Sequence, residues 1–117
     1  MSFQSEIPII QKVYDFYREL YLTVEKMPKK DKYTLGEKTQ RATLDLIELL
    51  LDAGYQEKLK KGFILGHAAV KLDLIKLLAR LGQDIKAIPT NKYLSLEEKL
   101  QEIGRMLGGW LKSTKAS

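Results

Sequence analysis

The sequence predicts an all-α fold, an antiparallel up-down-up-down four-helix bundle, on three observations. Apolar residues recur at spacings of three and four through four segments, no stretch carries a competing strand signal, and short breakers separate the segments. With 117 residues the chain has the size of one domain able to build its own core. Residues 1–117 therefore read as a single bundle with helices at about 8–26, 33–53, 57–87 and 92–112.

The first helix runs from about Pro8 to Lys26, with Ile10, Val13, Tyr14, Tyr17, Leu20, Tyr21 and Val24 on one face. Met27-Pro28-Lys29-Lys30-Asp31 ends it, because proline disfavours the α conformation in the residue before it. The second opens at Thr34-Leu35-Gly36-Glu37, a capping-box pattern in which Thr34 and Glu37 would satisfy free N–H groups reciprocally. It continues to about Ala53, with Gly54 placed as a C-terminal cap. The third is the longest, from about Glu57 to Ala87; Gly62 and Gly66 weaken its first turns, so a start near Phe63 is an equal alternative. Ile88-Pro89-Thr90-Asn91 closes it. The fourth begins between Asn91 and Ser95, where Ser95-Leu96-Glu97-Glu98 forms a second capping box. Tyr93, Leu96, Leu100, Ile103, Leu107 and Trp110 alternate spacings of three and four along it as a heptad seam. Near its end Gly108 and Gly109 stand beside the chain's only tryptophan. Each costs roughly 1 kcal/mol against alanine in a helix interior, which leaves a frayed last turn or a close backbone approach.

On helical wheels the second and third helices are too apolar for one core. A helix packed on a single core needs an apolar arc of roughly 100° or a little more, whereas Leu72 to Ile85 spread over about 220°. The polar sector of the third helix is confined to Asp73, Lys76, Arg80, Gln83 and Asp84. Leu44, Leu46, Ile47, Leu49, Leu50 and Leu51 cover a similarly wide arc on the second. Surplus apolar surface of this kind marks an interaction site, so the chain is expected to self-associate. Leu44 and Leu51 of the second helix and Leu74, Leu77 and Leu81 of the third are the candidate interface.

Composition removes most chemistry. The chain has no cysteine and one histidine, which excludes disulfides, thiolate metal sites, a cysteine nucleophile and a two-histidine metal site within one chain. His67 lies between Gly66 and Ala68 and reads as a partly buried polar residue rather than a base. No phosphate-binding glycine loop is present. Glu37, Asp45, Glu48 and Asp52 share a face with Lys38 and Arg41, which reads as a salt-bridged solvated surface. Neither a signal peptide nor an apolar run of about 20 residues is present. The expectation is a cytoplasmic protein with no membrane span, no cofactor, no metal and no catalytic residue.

What remains is positive charge: 20 basic against 15 acidic residues, a net +5. Lys26, Lys29, Lys30 and Lys32 cluster at the first interhelical turn, and Lys58, Lys60 and Lys61 at the second, at opposite ends of an antiparallel bundle. In a ring of identical subunits either cluster repeats as a collar, and such summed fields attract polyanions.

Four segments carry a resemblance. They are Ile7-Pro8-Ile9-Ile10-Gln11-Lys12 with Tyr14-Asp15; Pro28 through Gly36; Val70-Lys71-Leu72-Asp73-Leu74-Ile75-Lys76-Leu77-Leu78; and Tyr93-Leu94 leading to Gly104-Arg105-Met106-Leu107-Gly108-Gly109-Trp110. In this order and at these separations the chain resembles Avd, the accessory variability determinant protein of diversity-generating retroelements, within the four-helix group that includes the ribosomal intervening-sequence proteins. Gly54 through His67 departs from the pattern. The resemblance implies a protomer of a pentameric, barrel-shaped ring with a basic surface. It further implies association with a reverse transcriptase and with RNA or DNA, supporting mutagenic copying without chemistry of its own. A structural protein of the intervening-sequence type, touching ribosomal RNA, is the alternative. Lys76, Arg80 and Arg105, with Lys29, Lys30 and Lys32, are the expected partner-binding residues. Asp73 and Asp84 are equally able to pair with Lys76 and Arg80 on the same stripe.

Overall fold

The computed structural model describes residues 8–115. The reading of Met1 to Glu6, Ile7 of the first resembling segment, and Ala116 and Ser117 lie outside them. The described residues form four long helices and no strand. We label these α1 (Pro8–Glu25), α2 (Glu37–Tyr55), α3 (Lys58–Asp84) and α4 (Thr90–Lys115). A helical turn at Lys29–Asp31 and a wider π-type turn at Lys32–Gly36 lead into α2.

The four helices pack in a cycle, α1 on α2, α2 on α3, α3 on α4 and α4 on α1. Early residues of one helix meet late residues of the next. Leu35, entering α2, reaches the position of Gly82 near the end of α3, and Asp45 lies 3.5 Å from Lys71. Gly62 at the start of α3 lies against Thr114 near the end of α4, and Glu19 late in α1 pairs with Lys99 early in α4 at 2.8 Å.

Every helix contributes to one core. Phe16, Leu20, Leu46, Leu50, Leu65, Ile75, Leu96, Leu100 and Ile103 are fully enclosed. The α4 seam is as expected at its centre, with Leu96, Leu100, Ile103 and Leu107 buried and Tyr93 and Trp110 half-buried at its edges. On α1 the buried stripe is rotated from the expected one. Ile9 and Phe16 turn inward while Tyr14 and Tyr21 point to solvent, because a tyrosine kept outside leaves its hydroxyl hydrated. The buried hydroxyls of Thr23, Thr39 and Thr43 donate to the carbonyls of Glu19, Leu35 and Thr39 at 2.7 to 2.9 Å, so no donor is stranded.

Several boundaries differ from expectation. No capping box forms at Thr34: its Oγ1 donates to the Lys30 carbonyl at 2.7 Å inside a helical entry that already began at Lys29. The π-type turn absorbs the mismatch between that entry and α2, and it presses Gly36 so close to α1 that a Cβ there would lie 2.6 Å from Val24 Cγ1. Gly54 is not the cap of α2, which continues through Tyr55 and ends on an extended Gln56. The start of α3 is the early one, with the Glu57 carboxylate accepting from the Lys60 N–H at 2.9 Å as a side-chain cap. Ser95 lies inside α4, which starts at Thr90, so it caps nothing; its side chain instead hydrogen-bonds Glu19. Around Gly108 and Gly109 the helix continues to Lys115 with nothing within 4 Å of either Cβ position, so neither a frayed turn nor a close approach within the chain accounts for the pair.

The end of α3 is a Schellman turn. The Lys86 N–H donates to the Gln83 carbonyl at 2.9 Å and the Ala87 N–H to the Gly82 carbonyl at 2.8 Å, with Ile88 folded over Gly82. Lys86 occupies the left-handed position at φ 65°. A non-glycine residue there costs about 1 kcal/mol, so Lys86→Gly is expected to stabilise the fold by roughly that amount, read as a higher urea midpoint at an unchanged slope.

The Glu19–Lys99 pair ties α1 to α4. Burial alone would raise the Glu19 carboxyl, but hydrogen bonds from Lys99 and Ser95 and the charges of Lys99 and Lys92 outweigh it, and its pKa lies below the ordinary value. A depressed carboxyl contributes stability at pH above its unfolded pKa and loses it as pH falls through the folded pKa. Lys99→Met is therefore expected to cost about 0.5–1 kcal/mol at neutral pH, with a smaller cost once the pH falls below the lowered folded pKa of Glu19, in denaturant titrations carried from neutral into acid pH.

Candidate oligomer and polyanion surfaces

The surplus apolar surface inferred from the wheels is on the outside of the bundle. Leu44, Leu51, Leu77 and Leu81 are 36% to 63% exposed, while Leu74 is half-buried against the core. Along α3 the outward positions Phe63, His67, Val70, Leu74, Leu77 and Leu81 follow one another at spacings of four and three, a second heptad line with no partner helix among the described residues. His67 is exposed on this line rather than partly buried as expected, because it lies on the outward side of α3 between the core positions Leu65 and Ala68. Leu44 and Leu51 repeat the seven-residue spacing on α2, and Asp45 and Lys71 pair between the two helices. Of the four acids expected on a salt-bridged face of α2, Asp45 pairs across to α3, and none of the four pairs with Lys38 or Arg41 among the described residues.

The expected basic residues are spread over different faces. Lys76 crosses to α4, its Nζ 3.3 Å from the position a Gly104 Cβ would take, and it is half-buried there. Neither Lys76 nor Arg80 forms an ion pair with Asp73 or Asp84 among the described residues, so the self-neutralised stripe is not what is seen. Arg80 is exposed, and its charge acts on Tyr93 of α4 together with Asp84 and Glu97. Burial of the Tyr93 phenol, followed by the nearby Glu97 charge, raises its pKa above the ordinary value despite the opposing Arg80.

Arg105 faces away from these residues. It pairs with Glu102 in a groove of about 390 Å³ between α1 and α4 that also holds Lys12, Asp15, Glu98 and Lys99. Three acids face three bases in this groove, which gives it little net attraction for a polyanion. Lys29 and Lys30 are exposed in the entry to α2, and Lys32 reaches the Glu25 carbonyl at 3.5 Å with its Nζ 5.8 Å from the Tyr33 ring centroid.

The opposite end of the bundle gathers more lysine than the linear spacing suggested. Because Gly62 touches Thr114, the first turn of α3, carrying Lys58, Lys60 and Lys61, abuts the last turn of α4, carrying Lys112 and Lys115. Sequence reading missed this pair because it ends α4 near 112. Among the described residues no helix is long and apolar enough to cross a membrane, and no three of His, Cys, Asp and Glu converge as a metal site.

Comparison with known families returns one described as bAvd-like, whose model matches residues 7–114. No curated protein matches the chain.

Proposed function

The chain belongs to the bAvd-like family, and from that premise we propose that it is a non-enzymatic accessory protein of a diversity-generating retroelement. In this reading four antiparallel helices, up-down-up-down, form one cytoplasmic protomer of a homo-oligomeric ring. The ring binds a reverse transcriptase and RNA or DNA through its basic surface and so supports mutagenic reverse transcription. The match over residues 7–114 carries the proposal. The early-to-late contacts between successive helices favour the up-down order, and the outward leucines of α2 and α3 favour assembly. The number of subunits, five, is what the family resemblance implies.

Charge is the means of contact. Binding to duplex nucleic acid is expected to weaken with salt along a log–log slope of roughly 0.9 per neutralised phosphate. The double variant Lys76→Glu/Arg80→Glu is expected to lower affinity about tenfold or more at low salt and to flatten that slope, while light scattering reports an unchanged mass. An unaltered titration would remove these two residues from the contact surface, and binding insensitive to salt would remove the electrostatic mechanism.

A further inference from the structure

The lysine-rich end formed by α3 and α4 carries a second feature, at the first position of the outward α3 line and more than two turns before its leucines. Tyr55, Leu59 and Phe63 are 68% to 70% exposed within nine residues, interleaved with Lys58, Lys60 and Lys61. Leu59 and Phe63 stand one turn apart on the same face of α3, and Lys60 lies three residues before Phe63, so a flat ring and an ammonium group present themselves together. Lys115 adjoins Thr114, which lies against Gly62, and Lys112 carries positive charge round to the outer side of the last turn of α4. The acids near this end are engaged: Glu57 accepts the Lys60 N–H at 2.9 Å, and Asp52 accepts from Gln56 at 2.9 Å.

We propose that this end is a binding surface for single-stranded nucleic acid, with bases stacking on Phe63 and Tyr55 and phosphates meeting Lys60, Lys61, Lys112 and Lys115. The inference deepens the nucleic-acid reading above and rests on it. Aromatic faces can stack only on bases that are not already stacked in a duplex, whereas lysines meet the backbone of either form. Exposed rings among lysines therefore select for a single strand, and they do so with little sequence preference because every base has a π face. Leu74, the first leucine of the outward line, lies about 16 Å along α3 from Phe63, which leaves the aromatic end outside the leucine contacts.

The test is fluorescence anisotropy of the full chain with a labelled single strand of about twenty nucleotides and with the matching duplex. Tighter binding of the single strand is expected. Phe63→Ala and Tyr55→Ala are each expected to weaken it about 5- to 100-fold with the salt slope unchanged. Lys60→Gln with Lys112→Gln is expected to reduce the slope by roughly 0.7 for each phosphate no longer neutralised. Photocrosslinking of an iodouracil-substituted strand to the unmodified chain supplies a readout that needs no variant, with crosslinks expected at Phe63 or Tyr55. If the chain binds the strand but both aromatic variants bind like the wild type and no crosslink maps to either ring, this inference fails while the accessory-protein reading stands. If the chain binds no nucleic acid at any salt, both fail. A fall in oligomer mass on Phe63→Ala would assign the ring to a subunit contact and overturn the proposal. So would tighter binding to vesicles containing phosphatidylserine than to the strand.

Discussion

Light scattering at micromolar concentration is expected to report a multiple of 13.4 kDa for this chain and the single-chain mass for Leu77→Glu/Leu81→Glu. Leu77 is 63% and Leu81 45% exposed in the isolated protomer, so neither substitution removes much core packing. Helix content and urea stability of the protomer should change little, since surface substitutions away from special features stay within about 0.5 kcal/mol. The assembly is affected differently. Burying a leucine fully is worth about 1.5–3 kcal/mol, and roughly half of each of these side chains is still open to water, so the two together offer ~1.5–3 kcal/mol per contact. Two carboxylates placed in the same apolar line add the cost of burying unpaired charge. The sum is a loss of about a hundredfold or more in association constant, repeated at every contact of a closed ring. A wild-type chain that runs as a monomer would refute the assembly, and with it the collar of charge built from repeated subunits.

Phe16→Ala is expected to be the most damaging single change to the fold, at about 3–5 kcal/mol, because a fully enclosed aromatic leaves a cavity that close-packed neighbours cannot fill. Against a total stability of about 5–15 kcal/mol this is a large fraction, and thermal denaturation should show a fall of many degrees. Tyr14→Ala, on the same helix but off the buried stripe, supplies the contrast: Tyr14 is 56% exposed, and its loss should cost well under ~1 kcal/mol. A larger effect of Tyr14→Ala than of Phe16→Ala would mean that the stripe buried on α1 is the one expected from the sequence, which includes Tyr14 and not Phe16.

That contrast marks where sequence reading of this protein stops. The existence and order of the four helices, the α4 seam and the surplus of leucine on the second and third helices are consequences of local periodicity, and periodicity is written in the chain itself. Which of Tyr14 and Phe16 faces inward depends on hydration of one hydroxyl. Thr34 and Ser95 match a cap pattern, yet both lie within helical backbone because the helices start earlier than their caps would dictate. Gly36 and Gly82 read as ordinary positions in sequence, but Val24 and Ile88 leave no room for a Cβ at either.

The candidate surfaces divide in the same way. Lysine clusters at the two turns are visible as runs of charge, and so is the basic excess they contribute to. That Lys112 and Lys115 join Lys58, Lys60 and Lys61 follows only from the contact of Gly62 with Thr114, which are far apart along the chain. That Arg105 faces a groove of balanced charge while Lys76 lies across Gly104 likewise depends on how α4 is rotated against α1 and α3. Helices, their amphipathic faces and the total charge are dictated by amino-acid order, because each arises within a few turns of chain. Which charges neighbour one another, and which apolar residues are left facing water, is settled by packing, because those distances are set by helix rotation and offset, which no local pattern encodes.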